Sequence, residues 1–219
     1  MLYLSSYMLG DHTDRLLAMV GGPGARMAVL TNALDAIPLE AQLSFAKTNY
    51  DPLIYFLQNG FDPSLIDLRR YFGRPRDLAS LLRQYRIIWA LGGNSFLLRR
   101  AMRDSGFDTI LPDLLECGIV YAGWSAGACV AGDFMSAVAV MDEPDATAPG
   151  YISTDPIETG LGLLPYQIIP HHESDHPEAS AAREAVNWAI KHGLKYVPLR
   201  DGEVIVKNGG YVEVLPKLR

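Results

Sequence analysis

The sequence is poor in cysteine, with two, Cys117 and Cys129, among 219 residues. Both lie in apolar surroundings, and a single pair forms neither a disulfide framework nor a zinc-binding spacing. This scarcity argues against a disulfide-stapled secreted scaffold. It suits a reducing compartment, so we expect a cytoplasmic protein.

Long hydrophobic runs and basic clusters are also missing. No apolar run approaches the roughly 18 residues that a membrane span requires, and no basic segment precedes the first hydrophobic residues. We therefore expect neither a membrane anchor nor a signal peptide. Lys and Arg are scattered and the net charge is −6, so we expect no nucleic-acid partner.

The composition is that of a globular domain, with 49% apolar and 20% charged residues. Apolar segments alternate with segments of helical spacing, which is the pattern of a parallel sheet covered by helices. Predicted strands are residues 2–6, 26–31, 65–68, 86–91, 119–124, 167–170, 195–199, 203–207 and 211–215. Predicted helices include residues 11–20, 38–59 with a break at Asp51-Pro52, 75–85, 96–103, 109–117 and 177–191. We expect one α/β domain over residues 1–219, with a doubly wound, mostly parallel sheet and a C-terminal β-hairpin around Asn208-Gly209-Gly210.

The most informative stretch is Gly123-Trp124-Ser125-Ala126-Gly127, which follows a short apolar run. A serine on a sharp turn from strand to helix needs glycines two residues away on both sides, because the backbone passes close to its neighbours. Ser125 is therefore a candidate nucleophile, with the N–H of Ala126 aimed at a developing negative charge. A strand-to-helix turn whose residues are small only for packing is the alternative.

A second glycine-containing turn, Gly92-Gly93-Asn94-Ser95-Phe96, follows the apolar run 86–91. Its glycines allow the backbone to approach a ligand at the carboxyl end of the sheet, and Asn94 or Ser95 can cap the following helix. A plain turn is an equally good interpretation. Neither pattern of a phosphate-binding loop is present.

A serine hydroxyl needs a general base, and His171 is the best-placed histidine. It follows the predicted strand 167–170, and a parallel sheet would bring it to the same edge as Ser125. His172 and His176 could share a metal with Glu173 or Asp175, but Pro177 and a loop-like sequence do not favour the helix that this spacing requires. We therefore predict no metal site and no cofactor.

Two carboxylates can orient His171. Asp142 lies in an acidic loop, residues 141–149, between Ser125 and His171 in the chain, whereas Asp201 follows the strand 195–199. Asp201 is the better candidate, because a strand end is held more firmly than a loop. Asp201-Gly202 can also be simple turn chemistry.

Three stretches together resemble one family, peptidase E with the aspartyl dipeptidases and their cyanophycinase relatives. They are Leu91-Gly92-Gly93-Asn94-Ser95-Phe96, Gly123-Trp124-Ser125-Ala126-Gly127-Ala128 and Leu164-Pro165-Tyr166-Gln167-Ile168-Ile169-Pro170-His171. The resemblance covers the chain from about residue 87 onward and implies a fold similar to that of class I glutamine amidotransferases. It also implies Ser125 as nucleophile, His171 as base, and the N–H groups of Gly93 and Ala126 as an oxyanion hole.

The sequence departs from this family at two places. The family has a glutamate where Asp201 stands, so Asp142 remains a fallback for the acid. The aspartyl dipeptidases have an arginine after the elbow helix, whereas residues 134–145 contain no basic residue. We therefore expect no preference for an N-terminal aspartate, and we list Asn94 and Asp142 as candidate substrate-binding residues.

The leading interpretation is a serine peptidase acting on small peptides through Ser125, His171 and Asp201. An esterase or amidase shares the elbow, but the α/β-hydrolase order of serine, acid and histidine would require Asp142. An amidotransferase would need a thiol where Ser125 stands. A non-catalytic homologue that binds a ligand is the alternative from another class, and the sequence leaves a homodimer open.

Overall fold

The protein is built on a seven-stranded sheet in the computed structural model, which describes residues 1–153 and 155–218. The strands in this part of the chain are β1 Leu2–Ser5, β2 Ala25–Leu30, β3 Phe61–Ile66, β4 Ile87–Ala90, β5 Val120–Trp124, β6 Gln167–Ile169, β7 Tyr196–Pro198, β8 Val204–Asn208 and β9 Tyr211–Leu215. The helices are α1 Thr13–Val20, α2 Leu39–Thr48, α3 Pro52–Gln58, α4 Pro75–Leu82, α5 Ser95–Asp104, α6 Phe107–Glu116, α7 Ala126–Cys129 and α8 Ala179–Lys191.

The strand order is β3-β2-β4-β5-β1-β8-β9. The first five strands pair in parallel, β8 pairs antiparallel with β1, and β8 and β9 form a hairpin in which Asn208 lies opposite Tyr211. The prediction of a doubly wound, mostly parallel sheet with a C-terminal hairpin is confirmed. The carboxyl ends of β4, β5 and β1 therefore lie side by side.

Both faces of the sheet are covered, which explains the continuous apolar runs of its central strands. In β4, Ile88 and Ala90 belong to one apolar cluster, while Ile87 and Trp89 belong to the cluster on the other face. All four are fully buried. A strand with two buried faces has no polar side, so its sequence does not alternate.

The predicted helix over residues 38–59 is two helices, α2 and α3, separated where the break was expected. The Asp51 carboxylate accepts hydrogen bonds from the N–H groups of Leu53 (2.8 Å) and Ile54 (3.3 Å), and Pro52 occupies the first turn. This is an N-cap, because a carboxylate satisfies N–H groups that lack partners within the helix.

Two strand predictions need correction. The weak strand expected over residues 65–68 is β3, Phe61–Ile66, and the chain after it forms a 3₁₀ turn. Pro63 makes the strand hard to recognise from sequence, because proline is rare in strands. This proline is tolerated because β3 lies at the sheet edge. The strand before His171, β6, is not part of the main sheet. It pairs only with β7, among the residues described, in a separate two-stranded parallel sheet.

None of the helices in residues 1–153 and 155–218 combines the length and the apolar character that crossing a membrane requires.

Candidate active site

Ser125 lies at the sharp turn between β5 and α7 with a strained backbone. Its φ of 47° and ψ of −114° are rare for a residue with a side chain. A Cβ added to Gly127 would lie 2.2 Å from the carbonyl oxygen of Ala90, and one added to Gly123 would lie 2.8 Å from the same atom. Only glycine fits at these two positions, so the spacing that singled out Ser125 has a steric cause.

The Gly92-Gly93 turn after β4 lies directly against this elbow. A Cβ added to Gly92 would approach Trp124 Nε1 to 2.6 Å and Ser125 Cβ to 3.2 Å. Gly93 has a φ of 132°, which favours glycine. In the described part of the chain, the N–H groups of Gly93 and Ala126 donate no hydrogen bond to another residue. Both donors beside Ser125 are therefore available to a ligand.

His171 and Asp201 form a hydrogen-bonded pair beside the end of β1. The distance from His171 Nδ1 to Asp201 Oδ1 is 2.9 Å, and the His171 side chain is 1% exposed. Burial alone would raise the pKa of the Asp201 carboxyl, but hydrogen bonds from His171 and Ser6 hold this pKa below its usual value. Asp201 is thus a carboxylate, which only accepts hydrogen bonds, so Nδ1 carries the proton and Nε2 is left as the basic nitrogen.

Ser6 connects these groups, and the sequence analysis did not identify it. Its hydroxyl donates to Asp201 Oδ1 (2.6 Å) and accepts from the backbone N–H of His171 (2.7 Å). Its carbonyl oxygen accepts from the N–H of Ser125 at 3.1 Å. The signal available in the sequence was a polar Ser5-Ser6 pair at the carboxyl end of an apolar strand.

The backbone on either side of this pair is also fixed. His171 has a φ of 61°, in the left-handed region, and Ser174 Oγ accepts a hydrogen bond from the N–H of Asp201 at 2.8 Å. The expectation that a strand of the main sheet delivers His171 is wrong, because β6 lies outside that sheet. Hydrogen bonds to Ser6 do the positioning instead.

Asp142 has other partners. Its Oδ2 accepts from the N–H of Ser95 at 2.8 Å, and no hydrogen bond joins it to His171 among the described residues. Burial raises the pKa of Asp142 to about 6, although the hydrogen bond from the N–H of Ser95 opposes the shift. The acidic loop, residues 141–149, is therefore anchored through Asp142 to the start of α5.

Asn94 caps α5, as one of the two predicted capping residues. Its Oδ1 accepts from the N–H of Leu97 at 2.8 Å, and its Nδ2 donates to the carbonyl oxygen of Glu143 at 2.9 Å. The side chain thus ties the Gly92-Gly93 turn to the acidic loop. Substrate binding by Asn94 or Asp142 stays a prediction.

Two further groups, the His176 ring and the Glu178 carboxylate, lie against the His171 ring. The His176 ring stacks on it with centroids 3.7 Å apart and planes 7° apart. Glu178 Oε2 lies 3.6 Å from His171 Nε2, and the Glu178 side chain is 52% exposed. The Tyr7 ring meets both imidazoles edge-on, with centroids 6.1 Å from His171 and 5.3 Å from His176.

The metal-ligating set that the sequence analysis weighed, His172 and His176 with Glu173 or Asp175, is not the one that converges. Ligand atoms of His171, His176 and Glu178 instead lie within 4.8 Å of one another. Because the two imidazoles stack face to face, their in-plane lone pairs lie in parallel planes. One ring would have to turn before both could share an ion.

Cys129 is buried one turn into the elbow helix, and burial raises the pKa of its thiol far above the usual value. A thiol that resists ionisation is a poor nucleophile. Its position is that of a packing residue.

Three arginines that could supply a cation to the site have partners. Arg99 donates to the carbonyl oxygens of Thr159 and Gly160, each at 3.2 Å, and pairs with Asp108 at 3.0 Å. Arg100, 1% exposed, donates to the carbonyl oxygens of Ala146 at 2.6 Å and Pro144 at 3.3 Å. Arg200 pairs with Glu173.

A strained serine at a strand-to-helix elbow, two N–H groups beside it that are free in the described part of the chain, and a buried histidine bonded to a carboxylate define the class of serine hydrolases. The model of peptidase family S51 matches residues 44–215, and the chain belongs to this family of serine peptidases. The resemblance noted in the sequence is thereby confirmed.

Two curated relatives agree with this assignment. Peptidase E of Shewanella amazonensis is 27% identical over 133 residues, 58% of this chain and 53% of that protein. The probable alpha-aspartyl dipeptidase of Drosophila melanogaster is 26% identical over 171 residues, 75% of this chain and 67% of that protein. The chain thus spans about half of the first relative and two thirds of the second.

The first solved structure is of a Listeria monocytogenes protein assigned to peptidase E. It has a TM-score of 0.76 at 18% identity and covers 98% of this chain and 97% of its own. A peptidase from an acI-B1 Actinobacterium has a TM-score of 0.65 at 15% identity, covering 99% and 87%. These two likenesses show the fold.

Proposed function

We propose that this serine peptidase hydrolyses small peptides, with Ser125 as nucleophile, His171 as general base and Asp201 as the group that orients the imidazole. The observation that carries the proposal is the 2.9 Å hydrogen bond between His171 Nδ1 and the ionised Asp201, beside the strained Ser125. This bond selects the tautomer whose Nε2 can take a proton from a hydroxyl.

The steps follow from these positions. Ser125 Oγ attacks the carbonyl carbon of the peptide while its proton passes to His171 Nε2, and the N–H groups of Gly93 and Ala126 donate to the oxyanion. The protonated imidazole then gives its proton to the leaving amine, and the C–N bond breaks. Water, deprotonated by the same Nε2, hydrolyses the acyl-enzyme and restores Ser125.

The acid in this scheme is Asp201 rather than Asp142. The Asp142 carboxylate is engaged by Ser95 at the start of α5, and its raised pKa makes it a weaker partner for an imidazolium. The chain order of serine, histidine and acid also differs from that of the α/β-hydrolase esterases.

Labelling with a fluorophosphonate, followed by peptide mapping, tests the proposal. We expect a single adduct on Ser125 that is lost in Ser125→Ala and slowed by about a thousandfold or more in His171→Ala. Cys129→Ala is the matched control for a nearby nucleophile and should label as the wild type does. An adduct elsewhere, or equal labelling of Ser125→Ala, would contradict the assignment.

A further inference from the structure

The proton arrangement around His171 leaves two acceptors facing each other. Because Nδ1–H donates to Asp201, the neutral imidazole presents a lone pair at Nε2. The Glu178 carboxylate lies 3.6 Å from this nitrogen and also only accepts. In the described part of the chain, no donor bonds to either Nε2 or the Glu178 carboxylate. The pair is therefore suited to a ligand that brings donors and positive charge.

The surrounding contacts keep Glu178 near this position. The backbone N–H of Glu178 donates to His176 Nδ1 at 3.2 Å, and His176 stacks on His171. The carboxylate thus enters the site from the N-terminal end of α8, while its 52% exposed side chain stays open to an incoming ligand.

A peptide bound for cleavage at its first bond would place a cation here. In the scheme above, the scissile carbonyl carbon is attacked by Ser125 Oγ while His171 Nε2 takes the proton. Bond lengths and the angle at Cα put the α-amino nitrogen of the same residue about 2.5 Å from that carbon. At pH 7 this amine is mostly protonated and has three donors. Glu178 Oε2 lies 3.6 Å from the reactive nitrogen and accepts no hydrogen bond from the described residues, whereas the Asp142 carboxylate already accepts one from the N–H of Ser95.

We propose that Glu178 binds the free α-ammonium group of the substrate and so restricts this enzyme to removing the N-terminal residue of short peptides. The inference rests on the proposed function, because it needs the scissile carbonyl at Ser125. It makes Glu178 a specificity-determining residue and leaves proton transfer to His171. A blocked amino terminus would leave the carboxylate unpaired in the complex, which disfavours binding.

The test compares Ala-Leu with N-acetyl-Ala-Leu at pH 7, with released leucine measured by mass spectrometry. For the wild type, we expect kcat/KM to be about a hundredfold higher for Ala-Leu. Glu178→Gln should lower kcat/KM for Ala-Leu by about tenfold to a hundredfold and leave N-acetyl-Ala-Leu within about twofold. Glu178→Asp should recover part of the loss.

Two controls separate substrate binding from an effect on the catalytic histidine. Glu184→Gln makes the same chemical change on an exposed residue of the same helix and should behave as the wild type. The rate of fluorophosphonate labelling, which needs Ser125 and His171 but no ammonium, should be unchanged in Glu178→Gln. Equal melting temperatures of the two glutamine variants confirm that both are folded.

Three results would overturn the inference. Glu178→Gln lowers kcat/KM for Ala-Leu and N-acetyl-Ala-Leu equally, or slows fluorophosphonate labelling by the factor by which it lowers kcat/KM for Ala-Leu, or leaves kcat/KM for Ala-Leu unchanged. If fluorophosphonate labels Ser125 of the wild type but Glu178→Gln hydrolyses Ala-Leu as fast as the wild type, this inference alone is refuted. A wild-type protein that neither labels nor hydrolyses Ala-Leu refutes the proposed function, and this inference with it.

Discussion

The hydroxyl of Ser6 donates to Asp201 Oδ1 at 2.6 Å and accepts a hydrogen bond from the N–H of His171, so one side chain at the end of β1 holds both members of the His171–Asp201 pair. Its carbonyl oxygen also accepts the N–H of Ser125. Three segments that are distant in the sequence are thereby fixed to one residue. This arrangement makes Ser6 a positioning residue for the proposed chemistry.

Ser6→Ala should lower kcat by about tenfold to a hundredfold with little change in KM, because the imidazole and Asp201 lose a shared hydrogen-bonding partner. The buried N–H of His171 would also be left without an acceptor, which should cost about 1–3 kcal/mol in free energy of unfolding. Steady-state kinetics and urea unfolding measure the two effects. Ser5→Ala is the control, since Ser5 Oγ donates to the Met8 carbonyl oxygen and to no other group in residues 1–153 and 155–218. Equal kcat values for the two variants would contradict the role of Ser6.

Replacing each of the two candidate acids, Asp201 and Asp142, by asparagine should lower kcat to very different extents. Asp201→Asn keeps the shape of the side chain but favours the wrong imidazole tautomer, so turnover should fall roughly 10⁴-fold. Asp142→Asn can still accept from the N–H of Ser95, so its loss should stay within about tenfold. The measurement is kcat for both variants under one condition. Equal, mild losses would defeat the choice of Asp201.

Asp142 should also leave a signature in the pH dependence of stability. Its pKa in the folded protein, about 6, lies above the value of 3.8 in the unfolded chain. The stability that the protonated form contributes is therefore present below pH 3.8 and is lost as the pH rises through 6. When the pH is raised from 4 to 8, the free energy of unfolding of the wild type should therefore fall on the order of 1 kcal/mol more than that of Asp142→Asn.

Urea unfolding at the two pH values gives this difference. Asp145→Asn, on an exposed residue of the same loop, provides the control and should show no such change with pH. A difference of the opposite sign would mean that Asp142 is stabilised as a carboxylate in the folded protein.

Substrate preference follows from the charges at the site. Glu178 Oε2 lies 3.6 Å from His171 Nε2, and the charges of Glu178 and His171 both act on the Asp142 carboxyl. Arg99 and Arg100 are engaged by backbone carbonyls and Arg200 by Glu173. An aspartate side chain in the first position would be desolvated without a cationic partner. We therefore expect kcat/KM for Asp-Leu to be no greater than for Ala-Leu or Lys-Leu. A preference of about tenfold or more for Asp-Leu would show that a cation reaches the site.

The sequence was sufficient for features whose cause is local. Steric crowding at Gly123 and Gly127 makes the elbow readable as a pattern, and apolar runs such as residues 87–90 follow from burial on both faces. The capping role of Asp51 is likewise local. These features predicted the order of elements and the candidate nucleophile.

Features that depend on long-range packing were not readable. Ser6 acts on residues 165 and 195 positions away, and the polar Ser5-Ser6 pair after an apolar strand does not identify those partners. Glu178 is near His171 only because the turn before α8 folds back over the imidazole. The placement of β6 outside the main sheet was also missed, since a short apolar run does not specify its pairing partner.

The most direct test of a serine mechanism at this site is kcat for Ala-Leu hydrolysis by Ser125→Ala, measured beside Cys129→Ala. Removing the nucleophile should lower turnover by about 10⁶, to the level that binding and the oxyanion donors still provide, whereas Cys129→Ala should stay within about tenfold of the wild type. A Ser125→Ala enzyme that retains turnover within tenfold of the wild type would contradict the account.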